Sequence, residues 1–234
     1  MKDNFKISIV YNNISSNHHL KSDWGFSCYF ELPGKNILFD TGADGKKLLY
    51  NLNKMFLKLS DIDVVILSHY HWDHTGGFDE VLKNVKNIKV FYPAGFTPEK
   101  KETVKYRKED KFKKIGDKIY ITGIMGSSIK EQAMIVNTDK GLVVVTGCAH
   151  PGIENIIEKV YKKLKKDIYL VIGGFHLKSK SKSEINKIIE ILKKNHVKNV
   201  APSHCTGENA IQLFEKAWGE DNFKQLYLGD KITF

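Results

Sequence analysis

Apolar positions along the chain fall into short blocks with two distinct periods. Residues 5–11 (FKISIVY) alternate and predict a strand. Residues 26–32 (FSCYFEL) and 36–40 (NILFD) flank Pro33-Gly34, which predicts a hairpin with a short turn. Over residues 44–57, Leu48, Leu49, Leu52, Met55 and Phe56 recur at helical spacing. Residues 62–67 (IDVVIL) form a continuous apolar run, as expected of a buried strand. A short helix over 77–84 and a strand over 88–92 (IKVFY) follow.

The second half repeats this plan. Residues 133–137 (AMIVN) and 142–146 (LVVVT) flank Asp139-Lys140-Gly141 as another hairpin. Ile153, Ile156, Ile157, Val160, Tyr161 and Leu164 share one face of a helix over 152–165. Residues 168–172 (IYLVI) predict a strand and 183–195 a helix, with Ser181 and Glu184 spaced as a capping box. Residues 197–201 close the unit as a strand. The halves superpose: ILFDTG (37–42) on VVVTGC (143–148), DVVILSHYH (63–71) on DIYLVIGGFH (167–176), and IKVFYPAG (88–95) on VKNVAPSH (197–204). Two such units predict an α/β chain folded as a four-layer αββα sandwich. It reads as one domain, with halves of about 1–95 and 117–234 and a lysine-rich connection over 96–116. In both halves histidines lie just past the C-terminal ends of apolar strands, the edge where open α/β sheets place ligands.

Composition narrows the function classes. The 234 residues are 41% apolar and 27% charged, as in a globular protein. No apolar run approaches the ~20 residues of a membrane span. The start, MKDNFKISIV, lacks the pattern of a secretory leader, so the chain reads as cytoplasmic. Cys28, Cys148 and Cys205 are too few and too odd in number for a disulfide framework, which fits a reducing compartment. The net charge of +10 attracts polyanions. Yet Arg107 is the only arginine, and planar bidentate recognition of phosphate or guanine favours arginine. The charge pattern therefore points away from nucleic acid and toward a lysine-rich surface.

The segment Ser68-His69-Tyr70-His71-Trp72-Asp73-His74-Thr75-Gly76-Gly77 places four metal-ligating side chains within six residues. His69 and His71 can share one side of a strand end, because side chains alternate. Asp73 and His74 then stand at the entry to the next helix, turned toward the same space. Imidazole nitrogens suit zinc, iron or manganese, and one carboxylate hardens the donor set. A polar loop whose histidines only form hydrogen bonds is the plain alternative, but such clustering rarely arises without a metal.

This His-x-His-x-Asp-His run resembles the signature of the metallo-β-lactamase superfamily, which is known for the two-half architecture, so the resemblance spans nearly the whole chain. It implies that His69 and His71 bind a first divalent ion, and Asp73 and His74 a second. Zn2+ is the expected ion, with Mn2+ and Fe2+ as alternatives. It also matches Asp40-Thr41-Gly42 to a turn whose aspartate supports a metal ligand from behind; an ordinary Asx turn is the competing reading. The second half departs from the family pattern. No histidine stands between His74 and His150, and the family's Gly-Asp position reads Gly147-Cys148. His150 becomes the candidate to complete the first site. His204, in Pro202-Ser203-His204-Cys205, matches the last family ligand and completes the second. His176 is additional: a ligand, a group contacting substrate or leaving group, or a satisfied buried histidine. Cys148 is a thiolate ligand or a small buried residue. The motifs Gly-Cys-Ala-His-Pro-Gly, Gly-Gly-Phe-His-Leu and Pro-Ser-His-Cys-Thr-Gly together resemble one branch, the group similar to dihydropterin-ribofuranosyl-aminobenzene-phosphate synthases. Most of its members are described only as metal-dependent hydrolases. His18, His19 and His196 have no partner pattern and read as surface residues.

The implied chemistry is hydrolysis by a water ionised between two metals, with Asp73 orienting the nucleophile and His176 or water supplying the leaving-group proton. Lys178, Lys180 and Lys182 after His176, and Arg107 in the 97–114 segment, are candidates to hold a small anionic, phosphate-bearing substrate; a solvated surface is the alternative for each. Competing classes are a pterin-pathway synthase-type transferase, a nuclease, a flavodiiron-type redox enzyme and a metal-retaining sensor. The redox class is expected to carry Glu where His71 stands, and the nuclease reading lacks an RNA-binding module.

Overall fold

The computed structural model describes residues 5–93, 95–98 and 101–234. The charged start at 1–4, Ala94 of the 88–95 match and Glu99-Lys100 of the lysine-rich connection lie outside the described residues. By contact the chain divides into two compact units, Met1–Glu109 with Tyr227–Phe234, and Asp110–Leu226.

The first unit runs β1 (Lys6–Tyr11), β2 (Ser27–Leu32), β3 (Lys35–Phe39), α1 (Gly45–Lys54), β4 (Val64–Ile66), α2 (Trp72–Thr75), α3 (Phe78–Asn84), β5 (Ile88–Phe91) and β6 (Val104–Arg107). The second runs β7 (Lys113–Lys114), β8 (Ile119–Ile121), β9 (Met134–Thr138), β10 (Gly141–Thr146), α4 (Ile153–Leu164), β11 (Ile168–Gly174), α5 (Lys182–Lys194), β12 (Val197–Ser203) and α6 (Glu208–Trp218). A last strand, β13 (Lys231–Thr233), returns to the first unit.

Among the described residues the first sheet has the order β13-β1-β2-β3-β4-β5-β6 and the second β12-β11-β10-β9-β8-β7. The repeat read from the sequence appears in these orders. In each unit a hairpin (β2–β3, β9–β10) leads into three parallel strands, β3-β4-β5 in one and β10-β11-β12 in the other. The mixed α/β class is as expected. Parallel strands need crossovers, and α1 and α4 supply them.

Each helix forms for a local reason and buries one stripe. Asp44 caps α1 by accepting from the N–H groups of Lys46 and Lys47. Leu48 and Leu52 of α1 and Phe78, Val81 and Leu82 of α3 pack with Val10, Leu38, Val65 and Val90 of the sheet. In the second unit Ile153, Ile156, Ile157 and Val160 of α4 join Ile185, Ile188, Ile189 and Leu192 of α5 over Leu142, Val144, Val171 and Val200. Each such side chain contributes about 1.5–3 kcal/mol on burial. The capping box at Ser181 and Glu184 is present in full.

The structure differs from the pattern reading in three places. The lysine-rich connection is not all loop: β6 adds to the first sheet and β7 to the second. Helix α6, between Gly207 and Gly219, went unread: it fully buries only Ala210, Phe214 and Trp218, one per turn, with Leu213 and Ala217 partly buried beside them. And the chain end belongs with the first half, where β13 pairs antiparallel with β1.

Candidate metal centre

In the first unit the histidine loop leaves the end of β4. Alternation turns His69 inward, fully buried, while Tyr70 and Trp72 are 42% and 63% exposed. Residues 72–75 then form the single turn α2, which carries Asp73 and His74. Thr41 holds this turn, donating to the His74 carbonyl from its N–H at 2.8 Å and its hydroxyl at 3.0 Å. Two glycines let the turn sit this close: a Cβ on Gly76 would stand 2.2 Å from the Ala43 carbonyl oxygen, and one on Gly77 2.3 Å from that of Thr41.

Asp40 organises the donors from behind. It follows β3 with φ 57°, in the left-handed region that costs a non-glycine residue strain. Its fully buried carboxylate accepts from the Ser68 N–H and the Ser68 hydroxyl, each at 2.7 Å, and lies 2.8 Å from His74 Nδ1. A carboxylate at neutral pH only accepts, so His74 carries its proton on Nδ1 and presents the Nε2 lone pair. The Ser68 hydroxyl spends its proton on Asp40, so its oxygen accepts from His69 Nδ1 at 2.9 Å. His69 is thereby fixed in the same tautomer. Its Nε2 faces His71 Nδ1 at 3.1 Å, and His74 Nε2 stands 3.7 Å from Asp73 Oδ2. Trp24 Nε1 donates to Asp73 Oδ2 at 2.9 Å. Ligand atoms of His69, His71 and Asp73 lie within 4.8 Å of one another. Two imidazole nitrogens bound to one ion at about 2.0–2.1 Å sit roughly 3 Å apart. The donor set fits a borderline divalent metal. Nearby, burial with Asp40 beside it pushes the Cys28 thiol well above its usual range.

In the second unit the sequence missed the organising residue. Glu131 is fully buried and closes a small hairpin with Met125, each N–H donating to the other's carbonyl. Its carboxylate accepts from the N–H groups of Cys148 at 3.0 Å, Ala149 at 2.8 Å and His150 at 2.8 Å. The same carboxylate lies 2.9 Å from His150 Nδ1. His150 therefore presents its Nε2, as His74 does. The one local signal is an acidic residue two positions before the apolar run AMIVN.

His176 stands two residues past β11 and His204 directly follows β12, each with φ 52°. His176 is exposed, which removes the reading of a satisfied buried histidine. Its ring lies 4.5 Å from that of His150. Cys148 is buried, 3% exposed. His176, Lys178 and Ser179 line a cavity of about 460 Å³. Lys180 instead pairs with Glu184 at 3.0 Å at the start of α5. Arg107 is exposed on β6 and donates to the Tyr106 carbonyl.

Residues 25–164 match the family described as the metallo-beta-lactamase superfamily. The chain is 30% identical to the 7,8-dihydropterin-6-methyl-4-(beta-D-ribofuranosyl)-aminobenzene-5'-phosphate synthase of Methanocaldococcus jannaschii, over 99% of this chain and 97% of that protein. Among solved structures it is similar to Tm1679, described as a metal-dependent hydrolase of the beta-lactamase superfamily, with TM-score 0.79 and 27% identity over 97% of this chain and 98% of that one. It shares its fold with YhfI of Bacillus subtilis, at TM-score 0.71 and 16% identity over 100% of each chain. No helix among the described residues is long and apolar enough to cross a membrane.

Proposed function

We propose that this chain, which belongs to the metallo-beta-lactamase superfamily, is a hydrolase that uses two divalent metal ions, Zn2+ first among them, on a small phosphate-bearing substrate. The observation that carries the reading is the relay from Asp40 through Ser68 to His69 and directly to His74, which sets both imidazoles with Nε2 lone pairs beside His71 and Asp73. Buried histidines held in one tautomer by an outer carboxylate are how metal ligands are oriented.

In this reading His69, His71, Asp73 and His74 are the metal donors of the first unit, and His150 and His204 those of the second. Bound there, such ions would supply Lewis-acid chemistry, lowering the pKa of water toward neutrality and polarising the bond under attack. Asp73 also orients the nucleophile, kept in place by Trp24. Lys178 receives the substrate's anionic group at the cavity it lines with Ser179, and solvent water protonates the leaving group. A second reading, transfer of the synthase type, is favoured by the identity to the archaeal synthase along nearly the whole chain.

The test is a screen of metal-loaded protein against phosphomonoesters, cyclic phosphodiesters, thioesters and lactones, run in 18O-labelled water. Hydrolysis is expected to place the label in the product of a phosphate-bearing substrate, and to stop on chelation and in His71→Ala. Turnover without label incorporation would favour transfer. A protein that binds no divalent ion would sink both readings.

A further inference from the structure

Three chemistry-bearing side chains of the second unit meet where its parallel strands end. Cys148 follows β10, His176 follows β11 and Cys205 follows β12 by two residues. A ligand atom from each lies within 4.8 Å of the others. Both cysteines are buried. The fold takes pains to bring them together. A Cβ on Gly173 would stand 2.0 Å from the Thr146 carbonyl oxygen, and one on Gly174 2.4 Å from that of Gly147 and 2.7 Å from Cys205 Sγ. Only glycines let these strand ends close up. Cys205 Sγ rests 3.8 Å from the Cys148 carbonyl oxygen, and the Cys148 N–H is held by Glu131.

We propose that Cys148, His176 and Cys205 bind one thiophilic divalent ion, Zn2+ or Fe2+, as a Cys2His set with an open fourth position. Two thiolates and one imidazole are a soft donor set that favours these ions over Mg2+ or Mn2+. Metal–sulfur bonds of about 2.3 Å and metal–nitrogen bonds of about 2.0–2.1 Å put such ligand atoms roughly 3.5–3.8 Å apart, a closure within reach of side-chain rotation. Binding displaces the thiol protons to solvent, leaving the metal and both sulfurs unchanged in oxidation state. His176 then acts as a donor rather than as a source of protons. The assignment takes none of the six donors of the proposed hydrolytic centre, but Cys148 Sγ also lies within 4.8 Å of ligand atoms of His150 and of His204, so the test must separate Cys148 acting with Cys205 from Cys148 acting with those donors.

Reduced full-length protein loaded with Co2+ supplies the test, because sulfur-to-cobalt charge transfer absorbs in the near ultraviolet and carboxylate or imidazole ligation does not. The wild type is expected to show the band. Cys148→Ser and Cys205→Ser should each lose about half of it, one thiolate of two. Cys28→Ser and His71→Ala should keep it, even if His71→Ala abolishes hydrolysis. In the wild type loaded with Zn2+, Cys148 and Cys205 should also resist alkylation until a chelator is added, a readout that needs no variant to fold. Absence of the band, or alkylation unaffected by chelator, overturns the proposal. So does a band lost in Cys148→Ser and untouched in Cys205→Ser, which would assign Cys148 to other donors.

Discussion

One carboxylate oxygen of Asp40 stands 2.8 Å from His74 Nδ1, with both side chains fully buried and 34 positions apart in the chain. The same oxygen accepts the hydrogen bond of the Ser68 hydroxyl, so a single residue governs two of the four donors of the histidine loop.

Asp40→Asn keeps the shape but offers an amide N–H₂ where only an acceptor serves. Metal affinity is expected to fall about 10–100-fold, the usual effect of losing an orienting partner. Chelator competition on the purified variant measures it, and an affinity equal to wild type would refute the orienting role. Asp40→Ala should also destabilise the apoprotein by about 1–3 kcal/mol, because buried donors lose their acceptor.

Glu131 is satisfied by four N–H donors, three of them from the backbone of 148–150. Glu131→Gln sets an amide donor against some of them and is expected to lower stability by about 1–3 kcal/mol, read in urea denaturation. The exposed Glu158→Gln should leave the curve unchanged.

Gly174→Ala introduces a Cβ with no room, facing the Gly147 carbonyl and Cys205 Sγ. Overpacking of this kind costs about 1–3 kcal/mol. At Gly34, where a Cβ meets nothing within 4 Å, alanine should pay only for its positive φ, about 1–2 kcal/mol. A Gly174→Ala protein with wild-type melting temperature and cobalt spectrum would contradict the close approach of these strand ends.

The Ser181 N–H and hydroxyl, then Lys180, hold the Glu184 carboxyl down to about 2, from an ordinary 4.5. A carboxyl depressed in the folded state contributes stability that is complete above its unfolded value and disappears as pH falls through the folded one. The melting-temperature gap between wild type and Glu184→Gln is therefore expected to be constant above about pH 4.5 and to shrink toward pH 2. A gap independent of pH over that window would remove this contribution.

How much was legible follows from how local each feature is. The donors of the histidine loop crowd into six residues, and their alternation needs only a strand end to make sense. The hairpins and the helices α1, α4 and α5 announce themselves through period and caps. Asp40 was readable through family resemblance alone, since nothing near it in the chain indicates a partner 34 residues on. Glu131 was not readable: its four donors lie 17 to 19 residues downstream, and only the fold turns its carboxylate inward. Helix α6 fully buries only one residue per turn, too sparse a stripe to stand out, and β13 owes its pairing to β1 at the other end of the chain.

Because Glu131 is the closing residue of the Met125–Glu131 hairpin, its direction depends on the length of the five-residue turn between them. Strand faces alternate, so one inserted or deleted residue in 126–130 would exchange Glu131 for a neighbour, Lys130 or Gln132, at the inward position. Apart from Gly126, whose positive φ and close approach to the Ile129 carbonyl require glycine, this solvent-facing turn should thus accept changes of residue type freely and changes of length hardly at all.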